Sequence, residues 1–200
     1  MCKVTAAFPA ALRFTVSHAL PDFAPVLAEI AEEIQPAFGK GQVASYIPAL
    51  ARVPAGKFGL AVCSVDGREW CCGDAEESFS IQSISKLFTL LLALKNDDGA
   101  ELWTRVGREP SGSAFNSLIL LEAEQGLPRN PFINAGALVV TDQIVSHSSN
   151  AMLRLLSWVR ELCGNERIYI DEEVALSEQQ HGHRNAAIAH FLKSQGNLHA

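Results

Sequence analysis

The feature that most constrains the fold is a short polar stretch, SIQSISK, followed by the apolar run LFTLLLAL. Lys86 is the only charged residue between Glu77 and Lys95. An apolar run of this kind, entered through polar residues, predicts a helix that is buried on most sides. Residues three apart share one face of a helix, so Ser83 and Lys86 are expected to lie together at its start. The sequence therefore predicts a hydroxyl beside a partly buried lysine.

This Ser-x-x-Lys pair has the parts that acyl transfer needs. A serine hydroxyl is a weak nucleophile, but a lysine whose pKa is lowered by burial can accept its proton. Unpaired N–H groups at the start of a helix can stabilise an oxyanion. The spacing alone fits a polar helix start with a solvent-facing lysine equally well. The apolar context of Lys86 favours the functional interpretation, because buried lysines usually have a functional role.

Composition excludes several classes of protein. A chain of 200 residues that is 48% apolar and 19% charged is typical of one sizeable globular domain or two small ones. A net charge of −6, with no Lys/Arg cluster, argues against nucleic-acid binding. No apolar run reaches the roughly 18 residues that span a bilayer. Five cysteines without a Cys-x-x-Cys pair indicate reduced thiols in a cytoplasmic protein, and His181-Gly182-His183 is interpreted as a polar loop.

Periodicity and turn signals predict the elements around the Ser83 helix. Lys57 to Val65 and Arg68 to Gly73, joined by Asp66-Gly67, predict a β-hairpin. The adjacent Cys71 and Cys72 would point to opposite faces of its second strand. Helices are predicted over 22–34, 135–147, 150–163, 171–180 and 185–194.

Three segments together resemble the serine-dependent glutaminase family, which belongs to the β-lactamase and penicillin-binding-protein superfamily. They are SFSIQSISKLFTLLLAL, RVGREPSGSAFNSL and GLPRNPFINAGALV, in the family's order. The resemblance implies an α/β fold in which an antiparallel sheet is flanked by helices and a helical subdomain follows the nucleophile helix. Glutaminases continue beyond the matched region, so a partial domain over 18–200 is expected, without the C-terminal strands, the later Tyr residues and the Lys-Ser-Gly motif. Residues 1–17 lie outside the resemblance and are expected to form a disordered extension.

The resemblance also assigns roles to single residues. Asn134 and Asn185 match substrate-binding positions, although Asn is also a common helix N-cap. Glu178 matches a further substrate contact, although a lone helical Glu is usually solvated. Tyr46 matches a segment that lines the pocket and could assist proton transfer near Ser83, or it could be a packing anchor. Asn116 is expected to be structural, and Arg184 to be a local salt-bridge partner.

The function implied is hydrolysis of L-glutamine to L-glutamate and ammonia. Ser83 would form a γ-glutamyl ester, with Lys86 accepting and returning the proton. No cofactor or metal is implied, and complete family members are expected to be homo-oligomers. Two alternatives stay open: an inactive fragment or interaction module of the same fold, and another β-lactamase-like acyl transferase. The glutaminase-like segments outside Ser-x-x-Lys count against the second.

Overall fold

The computed structural model describes residues 21–96 and 99–200, so the predicted extension over 1–17 lies outside the described residues. The helices of the described part are α1 (Ala24–Ile34), α2 (Pro48–Ala51), α3 (Ser85–Asn96), α4 (Leu102–Arg105), α5 (Leu118–Ala123), α6 (Asn134–Ser146), α7 (Ala151–Cys163), α8 (Glu172–His181) and α9 (His183–Ser194). Strands β1 (Gly59–Cys63) and β2 (Glu69–Gly73) lie between α2 and α3, and 3₁₀ turns occupy Gln35–Ala37 and Gln82–Ile84. Within residues 21–96 and 99–200, every helix is too short or too polar to cross a membrane.

The hairpin is confirmed. Strands β1 and β2 pair antiparallel, with Leu60 opposite Cys72. Gly67 takes a φ of +86° in the turn, a conformation that glycine adopts without steric cost. Cys72 is half-buried and Cys71 is exposed, so the two adjacent cysteines do face opposite sides of the sheet. Helix α1 packs against β2 and covers one face of the hairpin.

The main apolar core lies among the helices. Helix α3 packs against α6 and α7, and α6 also contacts α4 and α9. The core side chains with the least exposure are Leu102, Val106, Val139, Val140, Ile188 and Leu192. The apolar run after Lys86 therefore enters a helical layer, as its composition predicts. The N-terminal ends of α3, α6 and α9 meet at a cavity, and a buried ion pair lies in the C-terminal half of α6.

The ion pair joins α4 to α6. The Arg105 guanidinium bonds the Asp142 carboxylate and donates to Gln143 Oε1 at 3.0 Å. Asn197, just after α9, donates from its side-chain amide to the Arg105 carbonyl at 2.9 Å. Asp142 Oδ1 also accepts from the backbone N–H groups of residues 199 and 200 at 2.9 and 2.8 Å. This network fixes α6 relative to α9, the two helices whose other ends line the cavity.

The helix that begins at Ser83 in the sequence prediction begins two residues later. Ser83 lies in the 3₁₀ turn Gln82–Ile84, and α3 starts at Ser85. The reason is the backbone of Gln82, whose φ is +44°. A right-handed helix does not accommodate a residue with that φ, so the regular helix starts after it.

Candidate active site

A cavity of about 700 Å³ lies where the N-terminal ends of α3, α6 and α9 meet the C-terminal end of α8. The loops before α2 and before α5 complete its wall. All six residues that the sequence singles out for the site line this cavity: Tyr46, Ser83, Lys86, Asn134, Glu178 and Asn185. They come from positions up to 139 residues apart in the chain, so the fold places at one cavity residues that the sequence indicates only individually.

Lys86 is half-buried and held by two acceptors. Its Nζ donates to the Phe132 carbonyl at 3.0 Å and to Asn134 Oδ1 at 2.8 Å. Burial lowers the pKa of Lys86 below its ordinary value of 10.5, because desolvation disfavours the charged amine. A neutral amine has two N–H bonds and one lone pair. The two acceptors match the two N–H bonds, which leaves the lone pair for an incoming proton.

Ser83 is exposed at the same cavity. Neither its hydroxyl nor its backbone N–H makes a hydrogen bond to any residue of 21–96 or 99–200. Neither group is therefore occupied by a bond within the described part of the chain. A hydroxyl and a free N–H on one residue are what an attacking nucleophile and an oxyanion donor require.

Lys86, Asn134 and Asn185 are linked by a chain of side-chain hydrogen bonds. Asn134 Nδ2 donates to Asn185 Oδ1 at 2.9 Å. Because Lys86 donates its N–H to Asn134, the amide oxygen of Asn134 faces the lysine and its NH₂ faces Asn185. Asn185 Oδ1 is thereby occupied, and its NH₂ group, which bonds no described residue, is available to a ligand.

The N-cap alternative is wrong for both asparagines. Asn134 is the first residue of α6, and Ile133 occupies the N-cap position. Asn185 is the third residue of α9, whose N-cap is Gly182. Their side chains bond each other and Lys86 instead of the helix ends.

Tyr46 and Glu178 face the cavity from two segments that are tied together. The Ala49 N–H in α2 donates to Ser177 Oγ in α8 at 3.2 Å, and Arg52, the residue after α2, pairs with Glu173 of α8. Tyr46 is 68% exposed. Among the described residues, neither the Tyr46 phenol nor the Glu178 carboxylate has a hydrogen-bond partner, and Glu178 is the one carboxylate that lines the cavity.

The loop before α5 is held at the cavity by hydrogen bonds to two of its backbone carbonyls. The Phe115 carbonyl accepts from the Asn134 N–H at 2.8 Å, and the Asn116 carbonyl accepts from Arg184 Nε at 2.9 Å. The Phe115 ring centroid lies 5.7 Å from Lys86 Nζ. Asn116 thus has the structural role expected of it, through its carbonyl. Arg184 forms no ion pair with a described residue and holds this loop instead.

Comparisons with known proteins agree on one family. A family model described as Glutaminase matches residues 41–200. The chain belongs to the glutaminase family. Curated glutaminases of Cronobacter sakazakii and Vibrio cholerae are each 56% identical to it, over 174 and 176 residues. These matches cover 87% and 88% of the chain, and the chain spans only 56% and 58% of the two relatives.

Solved structures of the family match the fold. A probable glutaminase of Bacillus subtilis is 36% identical with a TM-score of 0.78, over 88% of this chain and 54% of that one. A probable glutaminase of the same organism in complex with 6-diazo-5-oxo-L-norleucine is 33% identical with a TM-score of 0.76, over 92% of this chain and 55% of that one. The predicted fold class, β-lactamase-like with an antiparallel sheet and a helical part, is confirmed for this glutaminase family member.

Several groups at the site were not predicted. The Phe132 carbonyl is a backbone atom, so no side-chain pattern could indicate it. His181, interpreted as part of a polar loop, is the last residue of α8 and lines the cavity, and its Nδ1 lies 2.7 Å from the Ser177 carbonyl. Its spacing of three from Glu178 was the available signal. Within the described part of the chain, no three His, Cys, Asp or Glu residues are grouped to hold a metal ion.

Proposed function

We propose that this protein hydrolyses L-glutamine to L-glutamate and ammonia, with Ser83 as nucleophile and Lys86 as base. The observation that carries the proposal is the environment of Lys86. Its pKa is lowered by burial, and in the neutral form its two acceptors would leave one lone pair at the cavity that Ser83 also lines. Membership of the glutaminase family supports glutamine as the substrate.

The reaction proceeds in two steps, acylation and then deacylation of Ser83. The Ser83 oxygen attacks the side-chain amide carbon of glutamine while its proton passes to Lys86 Nζ, and the Ser83 N–H donates to the oxyanion. The C–N bond breaks, the proton returns from Lys86 to the leaving nitrogen, and ammonia departs from a γ-glutamyl ester on Ser83. Water then attacks the ester while one of its protons passes to Lys86. The C–O bond to Ser83 breaks and the proton passes from Lys86 to the Ser83 oxygen, which releases glutamate and restores the serine hydroxyl.

The remaining cavity residues fit the amino-acid end of glutamine. The Glu178 carboxylate complements the α-ammonium group. The free NH₂ of Asn185 complements an α-carboxylate oxygen, and Asn134 fixes the direction of that amide. The Tyr46 phenol lies at the same cavity and assists proton transfer at Ser83.

We infer further that the protein acts as a homo-oligomer in the cytoplasm. The four described cysteines, Cys63, Cys71, Cys72 and Cys163, are all free thiols, which supports a reducing compartment. Membership of the glutaminase family, whose complete members are expected to be homo-oligomers, supports the oligomer.

Ammonia release from glutamine by the full-length protein tests the proposal, with asparagine as the competing substrate. Ser83→Ala should lose most of the activity, whereas Ser157→Ala, an exposed serine on α7 away from the cavity, should leave it unchanged. Near-normal turnover by Ser83→Ala would show that the mechanism is wrong. A folded wild-type protein that releases no ammonia would favour an inactive module of the same fold, and opening of a β-lactam instead would favour another acyl transferase.

A further inference from the structure

Gln82, the residue before Ser83, has an unusual backbone conformation. Its φ is +44°, and Gln125 at +53° is the one other non-glycine residue with positive φ in the described part of the chain. L-residues other than Asn, Asp and His rarely adopt such φ values, because the side chain crowds the backbone. A strained residue directly beside a proposed nucleophile calls for a reason.

The conformation of Gln82 determines where the Ser83 N–H can bond. Ile81 is right-handed, with φ −69° and ψ −18°. A right-handed residue at 82 would continue that turn, and the Ser83 N–H would then donate to a carbonyl three or four residues earlier, at Ser80 or Phe79. Hydrogen bonding along the turn starts one residue later instead, where the Ile84 N–H donates to the Ile81 carbonyl at 2.9 Å.

The side chain of Gln82 holds this turn. Its Nε2 donates to Ser80 Oγ at 2.8 Å, which bridges the residues on either side of Ile81. Gln82 also lines the cavity. The side chain thus supplies a local bond that glycine, the residue with the least strain at positive φ, could not supply.

We propose that Gln82 is a positioning residue for the reaction. Its left-handed backbone keeps the Ser83 N–H out of the bonding of the helix, so that this N–H is free to donate to the oxyanion of the substrate. The inference rests on the proposed function for its kinetic consequence. Its structural consequence, an unbonded Ser83 N–H, can be measured without activity.

Substitutions at Gln82 and at Gln125 of the full-length protein separate positioning from strain. Gln125 follows α5, outside the cavity, and has nearly the same φ. Valine disfavours positive φ, whereas asparagine tolerates it. Gln82→Val should therefore return the turn to right-handed geometry, protect the Ser83 amide from hydrogen exchange and lower kcat by about 10²–10³-fold, the effect typical of losing one oxyanion donor. KM should change little, and Gln82→Asn should restore most of kcat and the fast exchange.

The matched variant Gln125→Val should lower Tm to a similar degree while leaving Ser83 exchange and kcat unchanged. If valine at 82 prevents folding, Gln82→Ala replaces it, because alanine is strained at the same φ but less so. Equal Ser83 exchange in the wild type and in the folded variant would overturn the inference, as would an equal kcat loss in Gln125→Val. If the wild type releases no ammonia, the proposed function fails, and hydrogen exchange at Ser83 decides the role of Gln82.

Discussion

At the scale of single residues, the protonation of Lys86 governs the proposed chemistry. Only the neutral amine can accept the Ser83 proton, and burial places the pKa of Lys86 below its ordinary value of 10.5. The rate should therefore rise with pH as Lys86 loses its proton, with the midpoint below 10.5. Lys86→Arg should abolish activity at every pH, because a guanidinium does not deprotonate in proteins. A kcat–pH profile of both proteins checks this, and a rate that falls with pH in that range would contradict it.

Asn134→Asp tests the protonation of Lys86 by changing one of the two acceptors of its Nζ. A carboxylate 2.8 Å from Nζ favours the ammonium form, so the pKa of Lys86 should rise and the activity profile should move to higher pH. The bond to Asn185 is lost as well, so KM for glutamine should increase. Asn150→Asp is the control, because Asn150 caps α7 and lies outside the cavity, and aspartate caps a helix as well as asparagine. An unchanged pH profile of activity in Asn134→Asp would show that Asn134 does not affect the pKa of Lys86.

At the scale of elements, the sequence predicts most helices and the hairpin to within one or two residues, because their signals are local. Asn150 and Gly164 bound α7 as an N-cap and a left-handed C-cap. The 3₁₀ turn at Ser83 could not be predicted, because nothing in the composition around Gln82 indicates a positive φ. The acceptors of Lys86 could not be predicted from the sequence either, since Phe132 contributes a backbone carbonyl from a segment 46 residues away.

The segment before α6 packs closely on the first turn of α6 because the third residue of that helix, Gly136, is a glycine. A Cβ built on Gly136 would lie 1.9 Å from the Asn130 carbonyl oxygen. Gly136→Ala should therefore push residues 130–133 away from the helix, cost about 1–3 kcal/mol of stability and lower kcat by displacing the Phe132 carbonyl. Gly112→Ala is the matched control, because a Cβ there meets nothing within 4 Å. Denaturant unfolding and kcat measure the two effects. Unchanged activity in a destabilised Gly136→Ala would show that the position of residues 130–133 does not affect the reaction.

At the scale of the whole molecule, the buried Arg105–Asp142 pair connects α4, α6 and the segment after α9. Burial raises the pKa of Asp142, but the N–H groups of residues 200 and 199 and the Arg105 guanidinium outweigh it and hold the pKa below its ordinary value of 3.8. A carboxyl whose pKa is lowered in the folded state stabilises the protein above 3.8 and loses that contribution as pH falls through the folded value.

Asp142→Asn should cost about 3–5 kcal/mol at neutral pH, because it leaves a buried guanidinium without its counter-charge. As pH falls from 3.8 through the lower folded-state pKa, the difference between the variant and the wild type should shrink, since the wild-type carboxylate then loses its charge. Urea unfolding at neutral pH and at a pH below the folded-state pKa measures this difference. Asp66→Asn, at an exposed pair with Arg68, should lower the stability far less than Asp142→Asn does. An equal cost for Asp142→Asn at both pH values would exclude its charge as the cause.

A γ-glutamyl ester on Ser83 can be trapped by rapid acid quenching of the full-length protein during turnover of glutamine, followed by peptide mass spectrometry. A fraction of the protein should be heavier by one γ-glutamyl group, with that group on the peptide that contains Ser83 and absent from Ser83→Ala. A glutamyl group on any other residue, or turnover by a folded Ser83→Ala protein, would show that Ser83 is not the nucleophile.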